Sequence, residues 1–247
     1  MSFTDEEIER YARHLVLREV GGPGQQKLKA ARVLVVGAGG LGAPVSLYLA
    51  AAGVGSLILA DPDVVDRSNL QRQVIYTEDD VGRPKAEAAA ARLTALNPNV
   101  AVTAFNGAFD DSTAGALVEG VDLVLDGTDD FGVRFCVNAA CVAHGKPLVS
   151  GAIGRWTGQV GVFGRKPCYR CLVPEIPPEA ETCTAVGVIG ALAGVIGSMM
   201  ALEAIKLLTG AGEALAGRLL IYDALAGETR TVRVAGDPEC PVCGGSE

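Results

Sequence analysis

Short runs of consecutive apolar residues recur along the first two thirds of the chain. They are Val33-Leu34-Val35-Val36, Leu57-Ile58-Leu59-Ala60, residues 100–105 and residues 121–126. A run that is apolar at successive positions reads as a strand buried on both faces, as parallel strands are. Between these runs the apolar positions take helical spacing. Helices are predicted over residues 40–52, from Pro84 to about Leu96 (where Asn97-Pro98 stops it), and over about 111–119. A further strand is predicted at 147–153 and an antiparallel one at 159–163. Residues 218–223 and 228–234 read as a hairpin around Ala226-Gly227. Strands alternating with helices predict an α/β fold: a Rossmann-like, mostly parallel sheet with helices on both faces, extended by antiparallel strands.

Before this series, Thr4 and Glu7 form a capping box, followed by Ile8, Tyr11, Ala12, Leu15 and Val16 at helical spacing. Residues 21–24 are predicted to break that helix from a short one over 25–31. Residues 185–202 carry no charge, a length just sufficient for a membrane span. Four glycines, four alanines and the absence of basic or aromatic flanks favour a buried helix, packed against a partner subunit. The expected organisation is one domain over 1–247, with N-terminal helices at 4–31, a nucleotide-binding core at 32–150 and a final part at 151–247.

Composition narrows the partners. A formal charge of −8 over 247 residues argues against nucleic acid. Seven cysteines, four of them in two C-x-x-C pairs and with no signal-peptide pattern, point to a reducing cytoplasm and to metal or sulfur chemistry. Cys168, Cys171, Cys240 and Cys243 can complete a tetrahedral site with no open position, so a structural zinc is expected. Cys136 and Cys141, among apolar residues, read as buried packing cysteines.

The candidate chemistry gathers between Arg32 and Lys85. Gly37, Gly39 and Gly42 fit G-x-G-x-x-G, with Gly40 inside the same turn, and Asp61 ends the second strand. This order suits a nucleotide: the helix start offers N–H groups to phosphate, and the acid can accept from ribose hydroxyls. Taken alone, it also fits an NAD-dependent oxidoreductase. Arg72 and Lys85 add two cations just beyond the second strand, more than a pyrophosphate bridge needs, although either one singly could be solvated surface charge. Asp129 and Asp130 follow the strand at 121–126. Asp129 can hold Mg²⁺ beside phosphate oxygens, whereas either acid could instead cap the next helix. A proline- and glutamate-rich loop after Leu172 carries Cys183, an accessible thiol.

With GAGGLG (37–42), SNLQRQ (68–73), GRPK (82–85), TDD (128–130) and the two C-x-x-C pairs, the chain resembles the bacterial MoeB/ThiF proteins, relatives of the ubiquitin-activating enzymes. The resemblance implies adenylation, from ATP, of the C-terminal Gly-Gly carboxylate of a ubiquitin-like sulfur-carrier protein docked beside the last hairpin. It implies nucleotide contacts from the loop Ser68, Asn69, Leu70, Gln71 and Arg72, and from Asp129 and Asp130; Arg134 and Asn138 are expected near the nucleotide. It implies a homodimer in which Arg13 reaches the partner's site. Asp130 stands where the family usually has asparagine, and His14 where it commonly has glutamine. In some members the cysteine at the position of Cys183 takes the activated carrier. No rhodanese domain is seen, so sulfur is expected from a separate donor. A non-catalytic relative that only binds a ubiquitin-like protein is the remaining alternative.

Overall fold

The computed structural model describes residues 2–176 and 187–244. Eight strands form one sheet: β1 (Arg32–Val36), β2 (Ser56–Ala60), β3 (Ala101–Phe105), β4 (Leu123–Asp126), β5 (Leu148–Gly154), β6 (Thr157–Phe163), β7 (Arg218–Asp223) and β8 (Glu228–Arg233). Their order is β3-β2-β1-β4-β5-β6-β7-β8. The first five pair in parallel. From β5 onward the pairing is antiparallel.

The apolar runs supply both faces of the parallel half. Val33, Val35, Leu57, Leu59, Leu123 and Leu125 face one core, which Leu49, Leu93, Ile196 and Met200 complete. Their neighbours Leu34, Val36, Ala60 and Val124 face a second core with Val118, Val137 and Phe163. Each such side chain contributes about 1.5–3 kcal/mol on burial. Helices α3 (Gly42–Ala51), α4 (Lys85–Leu96) and the long α8 (Gly190–Thr209) carry residues of the first core. Helices α5 (Ala114–Glu119), α6 (Phe131–His144) and the one-turn α7 (Tyr169–Leu172) carry residues of the second.

At the N-terminus α1 (Asp5–Leu15) has its capping box, with Glu7 N donating to Thr4 Oγ1 and Thr4 N to Glu7 Oε2. Its apolar spacing is only partly used: Tyr11 is buried, while Ile8 and Val16 are exposed. Residues 21–24 do not break the chain. They open α2 (Gly21–Ala30), because a proline in a first turn has no N–H to satisfy there. Cys141 is buried as expected, but Cys136 is only half-buried and its thiol donates to Asp111 Oδ1 at 3.4 Å. In α8, Ala191, Val195 and Leu202 form an exposed stripe along a helix whose other residues are buried or half-buried.

Candidate active site and cysteine cluster

Strand β1 has β2 on one side and β4 on the other, so the connections leave its carboxyl end in opposite directions. Such a switch point opens a crevice in parallel sheets. Gly37 takes a left-handed backbone, φ +85°, and a Cβ on Gly42 would collide with the Gly37 carbonyl. The turn therefore closes tightly, and Gly42 serves packing rather than the crevice itself. The resulting cleft, about 850 Å³, is lined by Gly37, Gly39, Gly40, Asp61, Ser68, Asn69, Arg72, Lys85, Asp129 and Asp130, among others. That volume lies within the usual range for small-molecule sites.

Asp61 is buried at the floor of this cleft. Its Oδ2 accepts from Ala38 N at 2.7 Å and its Oδ1 from Asp63 N at 2.9 Å. Burial raises its pKa, against the pull of Lys85 and these two N–H donors. Lys85 begins α4, is 6% exposed, and pairs with Asp63 Oδ2 at 2.8 Å. Arg72 donates to the Ser68 carbonyl at 3.1 Å, and among the described residues no carboxylate stands within ion-pair distance of it. The cleft thus offers one tethered and one untethered cation beside the glycine turn.

Across the cleft, Asp130 caps α6 by accepting from Val133 N at 2.8 Å, which leaves the neighbouring Asp129 exposed at the lip. Beneath them Asp126 is buried, accepting from Thr128 N, Thr128 Oγ1 and Ser150 Oγ. Arg134 lines the cleft and donates to the Thr128 and Gly151 carbonyls. Burial works against its charge, but Asp126, Tyr169 and Asp129 outweigh it and raise its pKa.

Several expected contacts fall elsewhere. Leu70 packs on the first core, and Gln71 is exposed beside the start of α8, so neither lines the cleft. Alternate residues of a tight loop cannot all face one side. Asn138 is likewise outside, one helical turn beyond Arg134, where it touches the cysteine cluster. Arg13 is exposed on α1, away from its own chain's cleft. Cys183 lies outside the described residues. Asp63, Gln73 and Tyr169 line the cleft without having been singled out in the sequence. Gln73 is 4% exposed, and its Oε1 has no hydrogen-bond partner among the described residues. A second glutamine in SNLQRQ was the one available signal.

The Sγ atoms of Cys168, Cys171, Cys240 and Cys243 all lie within 4.8 Å of one another. Cys168–Cys240 is 3.6 Å and Cys171–Cys243 is 3.3 Å. A tetrahedral zinc with bonds of about 2.3 Å sets its sulfurs about 3.8 Å apart. A disulfide would need about 2.05 Å. The donor set and its size fit a closed, four-thiolate metal site.

Residues 11–242 match the ThiF family. The chain belongs to the ThiF family. This displaces the dinucleotide-oxidoreductase alternative. Among similar ThiF-family proteins, the SAMP-activating enzyme E1 of Haloferax volcanii is 49% identical, over 99% of this chain and 92% of its own length. The sulfur carrier protein adenylyltransferase of Thermus thermophilus is 50% identical over 99% and 93%. The molybdopterin-synthase adenylyltransferase of Escherichia coli is 47% identical over 98% of both chains. Among solved structures, E. coli MccB crystallised with ATP superposes with a TM-score of 0.82, at 27% identity, over 98% of this chain and 75% of MccB. The mostly parallel α/β sheet extended by antiparallel strands, expected from the strand and helix pattern, is the fold observed.

Proposed function

We propose that the protein adenylates the C-terminal carboxylate of a ubiquitin-like sulfur-carrier protein, consuming ATP and releasing pyrophosphate. The observation that carries this reading is the pairing of two facts. Relatives at about half identity are named a sulfur carrier protein adenylyltransferase and a molybdopterin-synthase adenylyltransferase, and the cleft beside the glycine turn holds Arg72 with no carboxylate partner among the described residues.

The residues suit this reaction. The nucleophile is a terminal carboxylate with an unperturbed pKa of about 3.5, so it arrives ionised and needs no general base. The cleft lining includes no histidine among the described residues; His14 is engaged with Gln25 at 3.0 Å. What remains is alignment and charge stabilisation at phosphorus. Arg72 and Lys85 bind the phosphates, Lys85 exchanging its Asp63 partner for the triphosphate. The glycine-turn amides orient the same groups, and Asp61 faces the ribose. Asp129, exposed and free of capping duty, is the residue to hold Mg²⁺, which neutralises phosphate charge when bound. The four cysteines hold a structural zinc.

The protein works as a homodimer in the cytoplasm, each cleft receiving Arg13 from the second copy. The exposed apolar stripe on α8, the exposed Ile8 on α1 and the exposed Val16 just after it support pairing, because such surface favours burial. The carrier docks beside β7 and β8 with its tail threading to the ATP, sulfur comes from a separate donor, and Cys183 is a candidate acceptor of the activated carrier. The carrier decides the pathway: molybdopterin, thiamine or another thio-transfer route.

Exchange of labelled pyrophosphate into ATP, measured with each carrier intact and with its Gly-Gly tail removed, tests the reading. Exchange that depends on the tail is expected. ATP binding without exchange, whichever carrier is supplied, would leave a protein that binds a ubiquitin-like partner without activating it.

A further inference from the structure

Cys168, Tyr169, Arg170 and Cys171 are successive residues, and the last three belong to the single turn of α7. Two metal-ligand candidates therefore flank a tyrosine that forms part of the cleft wall. Tyr169 is 3% exposed. Its ring stands edge-on to Phe163, centroids 5.5 Å apart, and tilted against Phe135 at 6.3 Å. Its backbone N–H donates to Asn138 Oδ1 at 2.7 Å, and the other end of that amide, Nδ2, donates to Cys168 Sγ at 3.6 Å. One buried asparagine thus reads both a cysteine of the cluster and the residue next to it.

The same helix carries the effect to the cleft. Arg134 lies one turn before Asn138 on α6 and donates from Nη1 to the Tyr169 hydroxyl at 3.5 Å. Its Nη2 donates to the carbonyls of Thr128, two residues past the end of β4, and of Gly151, within β5. Arg134 therefore sets the position of the Thr128 peptide, and Asp129 is the next residue in the chain.

We infer that the four-cysteine metal centre holds the β4–β5 wall of the cleft in place, with Asn138 and Tyr169 as the positioning residues. Hydrogen-bond partners just outside a metal's ligands orient those ligands and are felt well beyond them. Here the arrangement runs outward: a bound metal fixes Cys168 and Cys171, these fix α7 against Asn138, and Tyr169 with Arg134 fixes the peptide before Asp129. The effect on ATP rests on the adenylation reading, whereas the coupling of metal centre to cleft wall does not.

The test uses the full-length, metal-loaded protein with two substitutions, Asn138→Ala and Tyr169→Phe. Metal content and thermal unfolding are measured first. Hydrogen–deuterium exchange then follows peptides covering residues 126–134 and 148–153, and pyrophosphate exchange follows the KM values for magnesium-ATP and for the carrier. Asn138→Ala is expected to keep its metal, to speed hydrogen exchange about 10-fold in both peptides, and to raise the magnesium-ATP KM by about the same factor. The carrier KM stays unchanged, a split that general loosening of the fold would not produce. Tyr169→Phe gives the same pattern at smaller amplitude.

Unchanged hydrogen exchange in those peptides, with metal retained, would overturn the inference. If Asn138→Ala loses metal or fails to fold, Tyr169→Phe, which alters no group in contact with sulfur, decides the question alone. If the unaltered protein shows no pyrophosphate exchange, the adenylation reading fails, and hydrogen exchange still decides the coupling.

Discussion

The two walls of the cleft solve opposite problems. On the glycine-turn wall, Arg72 spends its hydrogen bonds on a backbone carbonyl, Gln73 keeps a buried oxygen with no partner among the described residues, and Lys85 holds an acid whose own side chain is largely exposed. On the β4–β5 wall, Asp126, Thr128, Ser150, Arg134 and Tyr169 satisfy one another below the surface. The first wall is under-bonded where a phosphate would sit, so ligand interactions need not break many existing ones. The second is bonded internally and keeps its shape without a ligand. Catalytic electrostatics depends on both kinds of wall, because charge stabilises a transition state only when it is already held in position.

This contrast can be broken by substitution. Arg134→Ala removes the buried hydrogen bonds to the Thr128 and Gly151 carbonyls and should cost about 1–3 kcal/mol of stability. Urea unfolding would show it, and an unchanged midpoint would mean that the β4–β5 wall is not held from within. Arg72→Ala should do the reverse, lowering carrier-dependent pyrophosphate exchange about 10²–10³-fold, near the effect of removing one preorganised donor. Its melting temperature should stay within a degree or two, because Arg72 holds no ion pair among the described residues; a large drop would reassign it to the scaffold.

A smaller effect separates the neighbouring aspartates. Asp130→Ala removes a helix cap and should destabilise by about 1 kcal/mol. Asp129→Ala should leave unfolding unaltered and weaken the response to magnesium in the exchange assay. Swapped results would exchange their roles.

The smallest effect concerns pH. Asp80 lies outside both walls, behind the loop that carries Arg72. Burial works against its charge, but the hydrogen bonds from Thr77, with Arg92 and Arg83, hold its pKa below the ordinary value of 3.8. A depressed carboxylate pKa means that this contribution is complete above the unfolded-state value and fades as pH falls through the lower folded-state value. The stability gap between the unaltered protein and Asp80→Asn should therefore close on acidification below about pH 4. A gap that persists at still lower pH would assign the effect to shape rather than charge.

Much of this architecture was legible in the chain because its causes are local. Consecutive apolar residues marked the parallel strands, Gly37 and Gly42 marked the turn, and Thr4 with Glu7 marked the first helix. The cysteine pairs were legible for a different reason: few residue types can hold a metal, and spacing limits how they do so. What escaped notice depends on distant partners. Asp63 meets Lys85 across 22 positions, and Tyr169 meets Arg134 across 35. No periodicity distinguishes a tyrosine that stacks in a core from one whose hydroxyl reaches a cleft. Leu70 and Gln71 stand outside the cleft lining although the motif includes them, because a motif names a loop while geometry decides which of its side chains face inward.

The cysteine cluster also sets an order of events during synthesis. Cys168 meets Cys240, and Cys171 meets Cys243, each across 72 positions. Closing a loop of that length costs roughly 4 kcal/mol of chain entropy, which a metal held by the four thiolates would offset. While the ribosome is still making the residues between the two pairs, Cys168 and Cys171 have no second pair to share a metal with. The glycine turn and its strands can fold first, and the wall opposite is fastened afterwards. Truncation, misincorporation or metal scarcity near the second cysteine pair would then yield a protein that looks folded at its nucleotide turn and remains unfinished across the cleft.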